Sequence, residues 1–205
     1  ATTGRQIAPG ELPISVGCVV ENVATVATVA RAVEQGEPLI ARVTSVSGDG
    51  IAEPKNVFAP LGTASAELAA FCGGEKPGVR KVLSGGVMMG MTLPDLTIPT
   101  TKTTSGLLFL TGARTFEYKT APCINCGRCV RACPMNLSPA AISQAVEADD
   151  IAAAEADHVM TCIECGACSF SCPAFRSITH YCRRAKSALR ARQMAARAAV
   201  QKASH

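Results

Sequence analysis

The stretches 123-CINCGRCVRACP-134 and 162-CIECGACSFSCP-173 share one spacing, C-x-x-C-x-x-C-x-x-x-C-P. Thiolates are soft ligands, and three of them at i, i+3 and i+6 can wrap three corners of an iron–sulfur cube. The fourth, just before a proline, points away from that cube; in two-cluster proteins it ligates the other one. The expected pairing is therefore Cys123, Cys126, Cys129 and Cys172 on one 4Fe–4S cluster, with Cys162, Cys165, Cys168 and Cys133 on a second. Two repeats are needed because each closes its partner's cluster. Zinc sites instead show two C-x-x-C pairs with a longer gap between them, which fits two runs of four cysteines poorly.

The neighbours of these cysteines support the same chemistry. Gly127 and Gly166, each following a second cysteine, leave room for close backbone approach and for N–H donors to sulfur. Pro134 and Pro173 end the local turn, and Ile124 and Ile163 can shield a cluster from water. The joint 135-MNLSPAAISQAVEADDIAAAEADHVM-160 is Ala-rich, with Ser138-Pro139 as an N-cap and N1 pair, and predicts two short helices. The module is thus expected to be a mainly α-helical ferredoxin domain.

Charge is unevenly spread. From Ala174 onward there are eight Lys or Arg and no Asp or Glu, leaving twelve bases against sixteen acids in residues 1–173. A mildly acidic body carries a basic helical tail. That tail can be a solvated face, a docking surface for an acidic partner, or a peripheral contact with anionic lipid. No aromatic follows Tyr181, which argues against nucleic acid. No apolar run is long and charge-free enough to predict a membrane span. Eleven cysteines without a secretory signal pattern argue for metal over disulfides. Of the three outside the repeats, Cys18 and Cys72 are expected to be buried thiols, and Cys182 to be structural. His158 and His180 flank the repeats and are expected at the surface.

Towards the N-terminus the pattern changes. The run Ile14 to Val20 predicts a buried strand, and 21-ENVATVATVARAVEQG-36 a helix capped by Glu21 or Asn22 and stopped by Gly36. Residues 39–92 predict strand, Gly48-Asp49-Gly50 turn, edge strand, short helix starting at Thr63, and a strand entering a glycine turn. The order ββαβ predicts a small β-grasp-like module. The glycines Gly85, Gly86 and Gly90 lack the phosphate-loop pattern and are expected to shape a turn. Residues 93–120 predict a connector with one apolar strand, Leu107 to Leu110.

Taken together, 11-ELPISVGCVVENVATVATVARAVEQGEPLIARVTSVSGDGIAEPKNVFAPLGT-63, 83-LSGGVMMGMTLPD-95, 101-TKTTSGLL-108 and the two repeats resemble the C subunit of Rnf electron-transport complexes. The resemblance implies an oxidoreductase subunit that exchanges electrons between NAD(H) and FMN and passes them through two 4Fe–4S clusters to membrane subunits. It implies ferredoxin and NAD(H) as partners of the complex, coupling to sodium or proton translocation, and a peripheral place on the cytoplasmic face of the bacterial inner membrane. It also implies that the middle module is a soluble-ligand-binding β-grasp (SLBB) domain. The segment 19-VVENVATVA-27 is similar to a flavin-contacting stretch of respiratory complex I, so Val20, Asn22 and Thr25 are implied FMN contacts. A helix N-terminus after a strand suits such a ligand.

The glycine-rich half that cradles FMN and nicotinamide in that family has no counterpart in these residues, and the chain opens at Ala1, so a fragment is expected. The expected fold class is α+β, an SLBB β-grasp-like module followed by a mainly α-helical two-cluster ferredoxin domain. The expected parts are a flavin-domain remnant (1–38), the SLBB module (39–92), a connector (93–120), the two-cluster domain (121–190) and the basic tail (191–205). The rival readings are a soluble flavin/iron–sulfur reductase like the cobalamin reductase of microcompartments, and a non-redox scaffold stabilised by metal.

Overall fold

A computed structural model describes residues 3–8, 11–115 and 118–203; the last residues of the expected tail, 204 and 205, lie outside them. The chain divides into two units, residues 1–7 with 12–117 and residues 8–11 with 118–205.

In the first unit, β1 (Ala41–Ser47), β2 (Lys55–Pro60), β3 (Val79–Ser84), β4 (Met91–Thr92) and β5 (Gly106–Thr111) form one sheet in the order β2-β1-β5-β3-β4. Alternation decides which side chains go inward. Thr44 and Val46 on β1, Val57 and Ala59 on β2, and Leu107 and Phe109 on β5 are buried, while Phe58 between its buried neighbours is exposed. Helix α2 (Ser65–Phe71) adds Leu68 and Ala69 to the same core, and Cys72 closes it. Each such large aliphatic or aromatic side chain contributes about 1.5–3 kcal/mol of burial.

The strand expected inside a connector is the middle of this sheet. β5 runs parallel to β1 and antiparallel to β3. The Gly48–Gly50 turn is held against it: Gly50 N–H donates to Phe109 O, and a Cβ on Gly48 would stand 2.0 Å from that same oxygen. Gly48 also has φ of 114°, so the position admits glycine alone. The start signal of α2 is one residue off. Ala64 is its N-cap, and the Thr63 hydroxyl donates instead to Pro60 O.

Residues 12–36 depart from expectation at one point. Asn22 caps α1 (Val23–Gln35) by accepting from Ala24 N–H at 2.9 Å, and Gly36 ends it in the left-handed region, as the sequence predicts. The run Ile14 to Val20, however, is no buried strand. Pro13–Val16 form a 3-10 turn closed by left-handed Gly17, and Ile14, Val19 and Val20 are exposed. Pro13 fixes the helical φ at the start and Gly17 supplies the positive φ at the end, so these two residues override the β-branched preference between them. The apolar face of α1 is exposed as well, Val23 by 82%. Cys18 is half-buried, not buried.

The second unit is helical: α3 (Arg128–Arg131), α4 (Pro139–Glu147), α5 (Ile151–Ala156), α6 (Ala167–Phe170) and α7 (Ile178–Ala203). The two expected helices of the joint are α4 and α5, with Ser138 and Pro139 at the N-cap and N1 positions of α4. Ile142 and Val146 of α4 pack with Ile178, Cys182, Ala185 and Leu189 of α7 and Ala154 of α5. No helix among the described residues is long and apolar enough to cross a membrane.

Candidate metal centre

The two cysteine runs fold alike. A shift of 39 residues superposes α3 on α6 and the start of α4 on the start of α7. It also superposes three pairs of left-handed residues: Asn125 with Glu164, Gly127 with Gly166, and Asn136 with Phe175. Positive φ in non-glycine residues is uncommon, and here it turns backbone N–H groups towards sulfur. Asn125 N–H donates to Cys123 Sγ at 3.5 Å, Glu164 N–H to Cys162 Sγ at 3.4 Å, and Leu137 N–H to Cys133 Sγ at 3.4 Å. Gly127 and Gly166, both left-handed, start the short helices that carry Cys129 and Cys168.

These turns enclose two cavities. One is lined by Cys162, Cys165, Cys168 and Cys133; the other by Cys123, Cys126, Cys129 and Cys172. Each takes three cysteines from one run and the fourth from the other. Ile163 lines the first cavity and Ile124 the second. Among the described residues no three His, Cys, Asp or Glu side chains converge on one point to hold a single ion, so the thiols stand around a space instead of closing on an atom.

As free thiols the eight do not behave alike. Burial raises the pKa of Cys129 and of Cys168. Cys162 is lowered to about 6, chiefly by a hydrogen bond from the Cys182 thiol, helped by Glu164 N–H and by Lys186 against the cost of burial. Cys182 is raised by donating to Cys162 and by burial, so it keeps its proton. Cys182 is fully buried on α7 and lines the first cavity. The expectation of a structural thiol there is thus incomplete, because it touches a candidate ligand. His158 and His180 are at the surface.

Three further lining residues escaped the sequence reading. Thr179 Oγ1 lies 3.6 Å from Cys168 Sγ, Glu164 lines the first cavity, and Arg176 lines the second. Arg176 donates to Glu147 Oε2 at 2.5 Å and to Ser143 Oγ at 3.3 Å; the pairing with Glu147 raises its own pKa and lowers that of the carboxylate. Its Nε is buried with no hydrogen-bond partner among the described residues. Eight soft donors around two small cavities, one of them also lined by an arginine with a buried, unpartnered N–H, fit a pair of sulfur-bridged iron clusters.

A family model described as a 4Fe-4S dicluster domain matches residues 116–173. The chain is 48% identical over 141 residues to the C subunit of a proton-translocating ferredoxin:NAD(+) oxidoreductase complex from Clostridium ljungdahlii. That match spans 69% of this chain and 31% of the relative. The chain is a homologue of these C subunits. Two more relatives agree. The C subunit of an ion-translocating oxidoreductase complex from Rhodobacter capsulatus is 44% identical over 74% of the chain and 29% of its own length. The C subunit of a Na(+)-translocating ferredoxin:NAD(+) oxidoreductase complex from Acetobacterium woodii is 39% identical over 70% of the chain and 32% of its own length. The chain therefore spans about a third of the length of these three relatives, and the likeness read from the sequence is borne out over that part.

Val20, Asn22 and Thr25 lie exposed at the start of α1, with the Asn22 carboxamide oxygen already taken by the helix cap.

Proposed function

We infer that this chain is the electron-relaying part of the C subunit in an ion-translocating oxidoreductase complex. Cys123, Cys126, Cys129 and Cys172 would hold one 4Fe–4S cluster, and Cys162, Cys165, Cys168 and Cys133 the other. The grouping of the cysteines around two cavities carries the reading. When bound, such clusters pass electrons one at a time and do no bond chemistry. The chain's own residues supply the thiolates, aim N–H groups at sulfur and keep water out with aliphatic walls.

The relatives from Clostridium ljungdahlii and Acetobacterium woodii belong to ferredoxin:NAD(+) oxidoreductase complexes, and the same donors and acceptors, through the complex, are proposed here. The other subunits of such a complex, at the cytoplasmic face of a membrane, would be the partners, with the basic tail as a peripheral contact. The strand order β2-β1-β5-β3-β4, with α2 packed on its core, supports an SLBB β-grasp reading of the sheet unit. The exposed valines of α1 support its membership of a larger flavin-binding domain, with Val20, Asn22 and Thr25 as FMN contacts.

Anaerobic purification with iron and acid-labile sulfide counts, and electron paramagnetic resonance after dithionite reduction, tests the relay. About eight irons per chain and a spin-coupled reduced signal are expected. Zinc in place of iron, with no reducible signal, overturns it and favours a scaffold. Flavin content of the same sample tests the FMN contacts separately, and co-purification with hydrophobic subunits separates a component of a membrane complex from a soluble reductase.

A further inference from the structure

The 39-residue shift that matches the two cavities also shows where they differ. Arg176 stands where Leu137 stands in the other repeat, Thr179 where Ala140 stands, and Glu164 where Asn125 stands. Arg176, Asn125 and Ala140 line the cavity of Cys123, Cys126, Cys129 and Cys172; Leu137, Glu164 and Thr179 line the other. One cavity therefore has a cation in its wall and the other an anion.

Arg176 is only 7% exposed. Two of its contacts are accounted for by Glu147 and Ser143, but the buried Nε–H has none among the described residues. An unpaired buried donor on a charged group is destabilising. Four sulfur ligands surround the space this arginine faces, and a sulfur there would satisfy it. The corresponding wall position opposite is the hydrocarbon of Leu137, which can donate nothing.

We propose that Arg176 is a positioning residue for one cluster alone: its Nε–H donates to sulfur in the Cys123, Cys126, Cys129, Cys172 site and makes that cluster easier to reduce than it would be without the arginine. This rests on the two-cluster reading above. Reduction adds one negative charge, and a cationic donor stabilises the reduced form more than the oxidised one. The other site has neutral donors, Thr179 to Cys168 and Cys182 to Cys162, and the carboxylate in its wall, Glu164, is paired with Lys186 at 2.7 Å and Arg183 at 3.1 Å. With Leu137 at the matching position, it has no counterpart of the Arg176 donor.

The test is a potentiometric titration of the full iron-loaded chain, followed by electron paramagnetic resonance, in the unmodified protein and in Arg176→Leu, Arg176→Gln and Cys126→Ser. Two one-electron steps are expected, one of which should be missing from Cys126→Ser. In Arg176→Leu that step should become about tenfold less favourable, ~59 mV for one electron, while the other step stays in place. Arg176→Gln, which keeps an N–H but no charge, should shift the same step by less. If Arg176→Leu loses iron, the smaller substitution decides: an unmoved step of that cluster in iron-replete Arg176→Gln overturns the proposal. Equal movement of both steps overturns it too, because the effect would then be a general field. Failure of the unmodified chain to hold about eight irons would instead remove the two-cluster reading itself.

Discussion

The sheet unit and the helical unit are built on different sources of order. In the sheet, β1 and β5 pair in the middle, and Leu107, Phe109, Val46 and Ile51 fill a core of ordinary side chains. In the helical unit, α3 and α6 are four residues each, far below the length at which a helix holds by itself, and Cys129 and Cys168 are themselves core residues. The sheet's stability is a matter of packing and hydrogen-bonded strands. The helical unit places its candidate ligands in its own core, so metal held there would be coupled to folding. A perturbation should therefore register in one unit as lost packing and in the other as lost iron.

The sharpest way to break that contrast is a cysteine. Cys172→Ser is expected to remove the same cluster as Cys126→Ser, leaving about four of about eight irons and the spectrum of the other centre. Loss of the Cys162 centre instead would overturn the crossed pairing. Next in size is Phe109→Ala, expected to destabilise the sheet unit by about 3–5 kcal/mol. Faster hydrogen exchange in β5 with unchanged iron content would support the separation of the two units; iron loss would contradict it. Its counterpart Ile142→Ala, fully buried against α7, should cost about 2–5 kcal/mol and show as iron released at a lower temperature.

Smaller effects sharpen the comparison further. Thr111 donates to Asp49 through its hydroxyl and its N–H, and this lowers the Asp49 pKa. A carboxylate with a depressed folded-state pKa stabilises the fold above its unfolded value, and that stability is lost as pH falls through the folded one. The sheet unit should thus loosen below about pH 4, and Asp49→Asn should flatten that dependence in β5 hydrogen exchange. The least change is expected from Arg184→Ala. Its ion pair with Asp149 is exposed on both sides, and thermal stability should move by less than about 1 kcal/mol.

Much of the helical unit could be read from the sequence because its information is local and repeated. The cysteine spacing, the glycine after each second cysteine and Ser138-Pro139 each specify a turn or helix start within a few residues. The sheet was harder. β5 is joined to β1 by parallel pairing of Ser45 with Gly106, far apart along the chain, and no local pattern encodes such a partner. The run Ile14 to Val20 misled because a β-branched stretch reads as strand wherever its flanks are ignored, and here Pro13 and Gly17 bound a 3-10 turn. Arg176 and Thr179 were legible in principle. Sliding the repeats past their prolines would have set them against Leu137 and Ala140, and exposed the difference in charge.

Each cavity draws a wall from both cysteine runs. During synthesis, then, the cavity of Cys123 is not closed until Cys172 has left the ribosome, although three of its four thiols emerged well before. Whatever loads this segment must wait for the second run, and a premature stop between the two would leave thiols with nothing to enclose.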